Sequence, residues 1–254
     1  MKSIRIVATL TLATLMLGAC GGGGKDLGTE LGLSSPQARF INAVPIGPNL
    51  DYYLNGQANA TDVQYKGVTR YRDVGAGTQT ATYNATGTSL TLASQAFHAA
   101  KGHHYTTIAI QGSPSAASVI DDPYDKGLLS DKARVRGFNA SFNAPNVDIY
   151  VVAPGTDISS VTPTVSAIAY QHAVPESGQD SVYLSGGTYQ VIVTHAGKKT
   201  PILTSAPVSL ANNADWLILT IPSGGIGDVV PGNIHVLVAQ GNEADTSARE
   251  LTPQ

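Results

Sequence analysis

Residues 39–54 read RFINAVPIGPNLDYYL, and residues 136–151 read RGFNASFNAPNVDIYV. The two stretches align without a gap at an offset of 97 residues (136 minus 39), and seven of their sixteen columns are identical. Repetition of a segment that is not of low complexity indicates tandem copies of one structural unit. This repeat determines how the rest of the chain is divided.

Further matches extend the repeat along the chain, with offsets that grow. Residues 77–78 (Gly-Thr) recur as residues 187–188 at an offset of 110 (187 minus 77). Residues 104–108 align with residues 215–219 at an offset of 111 (215 minus 104). Offsets that change between matches are typical of domain copies whose loops differ in length.

Within each copy, apolar and polar residues alternate with a period of two, as in half-buried strands. Leu50, Tyr52 and Leu54 alternate with Asp51 and Tyr53, and glycine-rich turns separate such runs. After residue 20, no stretch of about a dozen residues has the apolar stripe of an amphipathic helix. We predict an all-β chain with two tandem immunoglobulin-like antiparallel β-sandwich modules, and a small barrel is the alternative. The predicted segments are module 1 at 38–122, a linker at 123–132, module 2 at 133–242 and a C-terminal tail at 243–254.

The first twenty residues have the pattern of a targeting signal. Two basic residues precede a mostly apolar run over residues 6–17, which is too short to span a membrane but fits a signal peptide. The run ends in a motif that resembles the lipobox of bacterial lipoproteins: Leu17, Gly18, Ala19 and Cys20. The resemblance implies a signal peptide at 1–19 and attachment of lipid to Cys20. A secretory signal without lipidation is the alternative.

Residues 20–37 are predicted to be a lipidated cysteine followed by a glycine-rich tether. Acyl chains such as palmitate on Cys20 would then make the membrane a partner of the protein. Gly21, rather than aspartate, follows the cysteine, so the resemblance implies the outer membrane, on its periplasmic or its exposed side. Since Cys20 is the only cysteine, the chain has no disulfide.

Charge and motifs exclude several classes of function. The net charge is −3 and the pI is about 6.0, so we expect no nucleic-acid partner. The sequence has no Gly-x-Ser-x-Gly elbow and no phosphate-binding loop after a strand, and we predict neither an enzyme nor a cofactor. The expected function is non-catalytic binding or a structural role in the cell envelope, with an envelope protein or a polysaccharide as partner. A carbohydrate-binding or adhesion lipoprotein is one alternative, and an envelope hydrolase is the second.

A family resemblance supports the same picture. Residues 132–141 (KARVRGFNAS) and 144–150 (APNVDIY) resemble the opening of the bacterial domain of unknown function 4397, and residues 186–189 (GGTY) resemble a later strand of that family. The resemblance covers both modules, is stronger in the second, and implies no reaction. Such domains occur in envelope proteins, often in tandem.

Several residues are candidates for a site. Arg39 and Asp51 recur as Arg136 and Asp148, either as a binding pair in each module or, as we prefer, as a pair across neighbouring strands. Three aspartates near the joint form either a calcium site or an acidic turn: Asp121, Asp122 and Asp125.

Histidine and tyrosine supply the remaining candidates. The histidines lack ligand spacing, and we predict strand-end or surface positions rather than a metal site: His98, His103, His104, His172, His195 and His235. The tyrosines of module 1 are either core residues, which we prefer, or a sugar-binding platform in a row on one sheet face: Tyr52, Tyr53, Tyr65, Tyr71, Tyr83 and Tyr105.

Overall fold

A computed structural model describes residues 34–112, 116–124, 131–241 and 248–254. These residues contain nineteen β-strands and two short 3-10 helices, Ile158–Ser160 and Gly225–Val229. None of the helices in these ranges is long and apolar enough to cross a membrane. The predicted signal peptide, the lipobox with Cys20 and most of the tether lie outside the described residues.

The strands up to residue 123 form two sheets that face each other as a first sandwich. Its inner sheet has the order β4-β1-β7-β8, and its outer sheet has the order β3-β2-β5-β6. The strands are β1 (Gln37–Ala43), β2 (Leu50–Leu54), β3 (Gln57–Val63), β4 (Arg72–Asp73), β5 (Gly77–Ala85), β6 (Thr91–Ala99), β7 (His103–Ile110) and β8 (Ala116–Pro123).

The strands from residue 132 onward form a second sandwich. Its inner sheet has the order β12-β9-β17-β18-β19, with β13 also on β9, and its outer sheet has the order β11-β10-β14-β15, with β16 on β14. The strands are β9 (Lys132–Asn139), β10 (Asn146–Val152), β11 (Val165–Ala169), β12 (Ala173–Val174), β13 (Val182–Ser185), β14 (Gly187–His195), β15 (Pro201–Thr204), β16 (Val208–Leu210), β17 (Asp215–Pro222), β18 (Ile234–Gln240) and β19 (Ala248–Glu250). The predicted all-β sandwich fold is confirmed.

The two sandwiches share one strand topology and one register. Each inner sheet contains a parallel pair in addition to its antiparallel pairs: β1 with β7, and β9 with β17. Arg39 lies beside Thr106 in the first pair, and Arg136 lies beside Leu217 in the second. The two arginines are related by the first offset of the sequence repeat, and Thr106 and Leu217 are related by its largest offset.

The inner sheets pack against each other, so the molecule has four layers. A buried apolar cluster between them takes residues from both sandwiches. Its members are Ile41, Ala43, Ile108, Ile110 and Ile120 from the first, and Phe138, Ala140, Ala173, Leu217, Leu219, Ile221, Leu237 and Ala239 from the second. The interface between the sandwiches is therefore a buried hydrophobic core, in addition to the core inside each sandwich, rather than a surface contact.

Strand β17 has a sequence that suits this position. It reads DWLILTIP, and every one of its residues is buried. Trp216 and Ile218 face the core of the second sandwich, whereas Leu217 and Leu219 face the interface between the sandwiches. A strand covered on both faces has apolar residues on both faces, and the simple alternation disappears.

Contacts across the interface are reciprocal. The hydroxyl of Tyr65 donates to the carbonyl of Pro222, and the hydroxyl of Tyr170 donates to the carbonyl of Gln111. Gln111 and Pro222 are equivalent, because they are related by the largest offset of the repeat and lie at the ends of the equivalent strands β7 and β17. Each sandwich thus gives the other the same contact, as across a two-fold axis.

Candidate functional site

A charged cluster lies at the end of the interface where β1, β7, β9 and β17 begin. Arg134 is completely buried, and its guanidinium donates to the Asp122 carboxylate at 2.6 and 3.2 Å and to Asp180 at 2.8 Å. Asp215 lies 3.7 Å from the same guanidinium. Asp122 belongs to the first sandwich and Arg134 to the second, so the cluster joins the two.

The recurring Arg136 extends the cluster. It donates to Asp122 at 3.2 Å and to the backbone carbonyls of Glu176, at 2.8 Å, and Gln179. Its equivalent, Arg39, donates to the carbonyl of Gln240 in the second sandwich at 2.9 Å. Arg39 thus binds the backbone of the opposite sandwich, whereas Arg136 binds the backbone of its own sandwich and reaches the first through the Asp122 side chain.

The cluster perturbs the protonation of its members. Burial and the neighbouring charge of Asp215 raise the pKa of Asp122, while Arg134 and Arg136 act in the opposite direction. Burial also raises the pKa of Tyr124, whose ring lies 5.1 Å from the guanidinium carbon of Arg134. The cavity beside these groups has about 20 Å³, which is room for about one water molecule. The arrangement can bind the two sandwiches together, but it has no space for a substrate.

An open groove of about 780 Å³ lies beside this cluster, between the edges of β6 and β8. Residues 171–177 of the second sandwich, which include β12, close one side of it. The lining combines apolar and polar side chains: Phe97, Val119 and Ile120 with Gln95, His98, Asp121, Gln171, His172 and Glu176. This groove has the size of a ligand site.

The expected pairing of Arg39 with Asp51 is wrong, as is that of Arg136 with Asp148. The arginines lie on inner sheets, and the aspartates lie on outer sheets. The Asp51 carboxylate accepts the backbone N–H groups of Asp62 (2.9 Å) and Gly87 (3.1 Å). The aspartate thereby stabilises the bulged neighbouring strand β3 and the turn after β5, and it does not pair with Arg39.

Asp148 repeats this arrangement in the second sandwich. It accepts the N–H groups of Ala167 (2.7 Å) and Gly197 (2.8 Å). Ala167 and its equivalent Asp62 both have positive φ, 54° and 56°, a conformation that is costly without such support. The hydrogen bond from Asp62 is the main reason why the pKa of Asp51 is lowered.

The tyrosines of the first sandwich do not form an exposed row. Tyr52, Tyr83 and Tyr105 are almost completely buried, and the first two rings pack on Phe40 at centroid distances of 5.1 Å. Tyr65 contacts the second sandwich. These tyrosines are core and interface residues, as we preferred from the sequence.

The adjacent histidines point to opposite faces of β7. His103 pairs with Asp121 at 2.6 Å, whereas His104, also at the beginning of β7, is buried and stacks on Tyr124 at 4.0 Å. His98 and His172 line the groove, and His235 pairs with Glu250. Within the described ranges, no group of three or more His, Cys, Asp or Glu side chains is arranged to hold a metal ion.

The aspartates proposed for calcium are separated by the strand that carries them. Asp121 pairs with His103, and Asp122 binds the arginines on the other face of β8. Asp125 lies outside the described residues. The two described carboxylates therefore do not converge on a common point.

Comparison with known proteins gives one assignment. A family model described as Domain of unknown function (DUF4397) matches residues 36–150. A DUF4397 domain lies at these residues. The match contains the first sandwich together with β9 and most of β10, so a second DUF4397 domain remains a prediction. No curated protein matches the sequence.

The chain is also similar to a solved structure. This is the crystal structure of CBMbc (family CBM26) from Eubacterium rectale Amy13K in complex with maltoheptaose. The identity is 8%, the similarity covers 84% of this chain and 100% of that chain, and the TM-score is 0.23. At this TM-score the similarity supports no assignment of fold or ligand to this chain.

Proposed function

We propose that the protein is a lipid-anchored, non-catalytic binding protein of the bacterial cell envelope, and that it holds its partner in the groove between β6 and β8. The observation that carries the binding role is the groove itself. At about 780 Å³ it is large enough for a ligand. The perturbed ionisable groups beside it are sealed between the sandwiches, where they stabilise the interface rather than meet a substrate.

The anchor rests on the sequence. Cys20 stands at the end of the apolar run, in the motif that resembles a lipobox. Several acyl chains on one residue give stable anchoring, because each buried CH₂ contributes about 0.8 kcal/mol. Residues 21–36 separate Cys20 from the first strand.

Cys20→Ser is expected to leave the protein unprocessed or released from the membrane, because serine offers no thiol for the lipid. Labelling with radioactive palmitate and fractionation of the envelope measure this directly. Gly21→Ser is the control and should be labelled and retained like the wild type. A Cys20→Ser protein that is fully mature and membrane-bound would contradict the anchor.

Ala117→Arg is expected to reduce partner binding at least ten-fold, because Ala117 lines the groove and an arginine would fill it. The wild type and the variant are immobilised, exposed to detergent-solubilised envelope proteins and to purified wall and capsule glycans, and compared for what they retain. Ala58→Arg, at an exposed position of β3, is the matched control. Equal retention by all three proteins, or no retention by the wild type, would contradict the proposed function.

A further inference from the structure

The second sandwich contains a filled cleft that corresponds to the groove. Its occupant is the C-terminal segment 248–254, whose first part, β19, pairs antiparallel with β18. The N–H of Leu251 then donates to the carbonyl of Val236 at 2.9 Å, and the Leu251 side chain is buried. Further on, Ala206 donates to the carbonyl of Thr252 at 2.7 Å. The segment therefore joins the edges of the inner and the outer sheet.

The register identifies the same positions in the first sandwich. Val238 lies opposite Ile218, and Val119 lies opposite Thr107. Ile218 and Thr107 are related by the largest offset of the sequence repeat, so Val119 is the equivalent of Val238. Ala117, two positions before Val119, is then the equivalent of Val236.

The outer sheets give the same correspondence. Thr204 lies opposite Ile192, and Ser94 lies opposite Thr82. Ile192 and Thr82 are related by the offset of the repeated Gly-Thr pair, so Ala206 corresponds to Ala96. The residues that hold the C-terminal segment thus correspond to residues that line the groove.

The edge of β8 is open where that of β18 is covered. Among the described residues, no strand pairs with β8 on the side away from β7. The backbone N–H of Asp121 donates to the Ser177 hydroxyl, and its carbonyl accepts the N–H of Gly178, both at 2.8 Å. Because alternate residues of an antiparallel strand point their backbone groups the same way, those of Val119 and Ala117 also point into the groove.

The charges of the two clefts differ. In the filled cleft, Glu250 binds Lys66 at 2.9 Å and also pairs with His235. Lys66 corresponds to Gln171, since each directly follows one of the reciprocal tyrosines, and His235 corresponds to Ala116 by the β8–β18 register. Gln171 and Ala116 are both uncharged, and the polar lining of the groove includes Asp121, which pairs with His103, together with Glu176, His98 and His172.

We propose that the groove receives an extended segment of a partner polypeptide, which adds as a β-strand to the outer edge of β8. The segment carries an aliphatic side chain where the C-terminal segment has Leu251, and an uncharged residue where it has Glu250, because the two side chains that bind Glu250 are replaced by Gln171 and Ala116. Main-chain hydrogen bonds supply the affinity, and the side chains supply the specificity. This inference rests on the proposed function and deepens it, because it names the ligand of the same groove.

The test uses the full chain in detergent and a fluorescent peptide with the sequence of residues 248–254 carrying Glu250→Gln. Fluorescence anisotropy measures its binding, and amide hydrogen exchange reports where it binds. We expect saturable binding and at least ten-fold slower exchange of the Val119 amide. Two matched peptides, one with N-methylated backbone amides and one with Leu251→Asp, are expected to bind at least ten-fold more weakly.

Val119→Pro is the corresponding variant of the protein. It removes an outward N–H and spares the bonds to β7, since an edge strand tolerates proline there. It should abolish binding of the peptide while the melting temperature stays within a few degrees of the wild type. If the variant does not fold, the difference in affinity between the unmodified and the N-methylated peptide still tests strand addition.

Three results would overturn strand addition: no saturable binding up to about 1 mM peptide, equal affinity for the N-methylated peptide, or slowed exchange at Val238 instead of Val119. Capture of a glycan that depends on Ala117 would leave the proposed function standing while strand addition fails. If the Ala117→Arg comparison and the peptide experiment both fail, the proposed function and strand addition are both contradicted.

Discussion

Leu219→Ala is expected to lower the free energy of unfolding of the whole protein by about 3 kcal/mol. Leu219 is completely buried, but it faces the other sandwich rather than the core of its own. Truncation leaves a cavity between the inner sheets, and the loss should equal that of Ile218→Ala, whose side chain points the other way into the second sandwich. Denaturant unfolding followed by tryptophan fluorescence measures both variants.

The comparison distinguishes one cooperative unit from two linked ones. If the sandwiches were independent, Leu219 would be a surface residue and its truncation would change stability by less than about 0.5 kcal/mol. Leu90→Ala, on an exposed loop, provides that reference value. A Leu219→Ala protein as stable as the Leu90→Ala protein would contradict the four-layer arrangement. In the same arrangement, segments 38–122 and 133–242 expressed separately would each expose the apolar face of an inner sheet.

Arg134→Met is expected to destabilise the protein by about 3–5 kcal/mol, because the two largely buried carboxylates of Asp122 and Asp215 lose the guanidinium that they share, although Arg136 still contacts Asp122. Thermal unfolding at pH 7 measures the loss. Adding Asp122→Asn to this variant should restore part of the stability, since one of the two buried negative charges is then removed.

The control for this prediction is a pair at the margin of the same interface. Lys66→Ala removes the partly exposed ion pair with Glu250 and should cost less than about 1 kcal/mol. An Arg134→Met protein that loses no more than the Lys66→Ala protein would mean that the buried cluster does not stabilise the interface.

The fold was predictable from the sequence where one face of a strand is buried and the other is not. Alternation in β2 and the turns between runs predict strands, and the repeat predicts two sandwiches. The interface was not predicted, although the evidence was present in β17: residues 216–219 are apolar on both faces, which a sandwich with an open side does not require. The repeat identifies which residues of the two copies are equivalent, but it does not show which other part of the chain packs on them.

The site was less accessible to sequence reasoning, because its parts are far apart in the chain. Arg39 and Asp51 recur together, yet they lie on different sheets, so proximity in sequence predicted the wrong pair. The predicted tail contains β19 and the buried Leu251, and a three-residue strand is too short for its pattern to be recognised. The correspondence between the groove and the filled cleft becomes apparent only when β19, on the edge of β18, is compared with the open edge of β8.

The parallel pairs of the inner sheets have a consequence for how the protein reaches this structure. Arg39 bonds Thr106, which is 67 residues away, and Gln240, which is 201 residues away. Contacts so distant in sequence form late, since a long loop must close before either is made. Until then the inner strands, apolar on both faces, are exposed in the newly synthesised chain, and this interval is when aggregation competes with folding. A chaperone that binds those strands until the long loops close is therefore expected to raise the yield of folded protein.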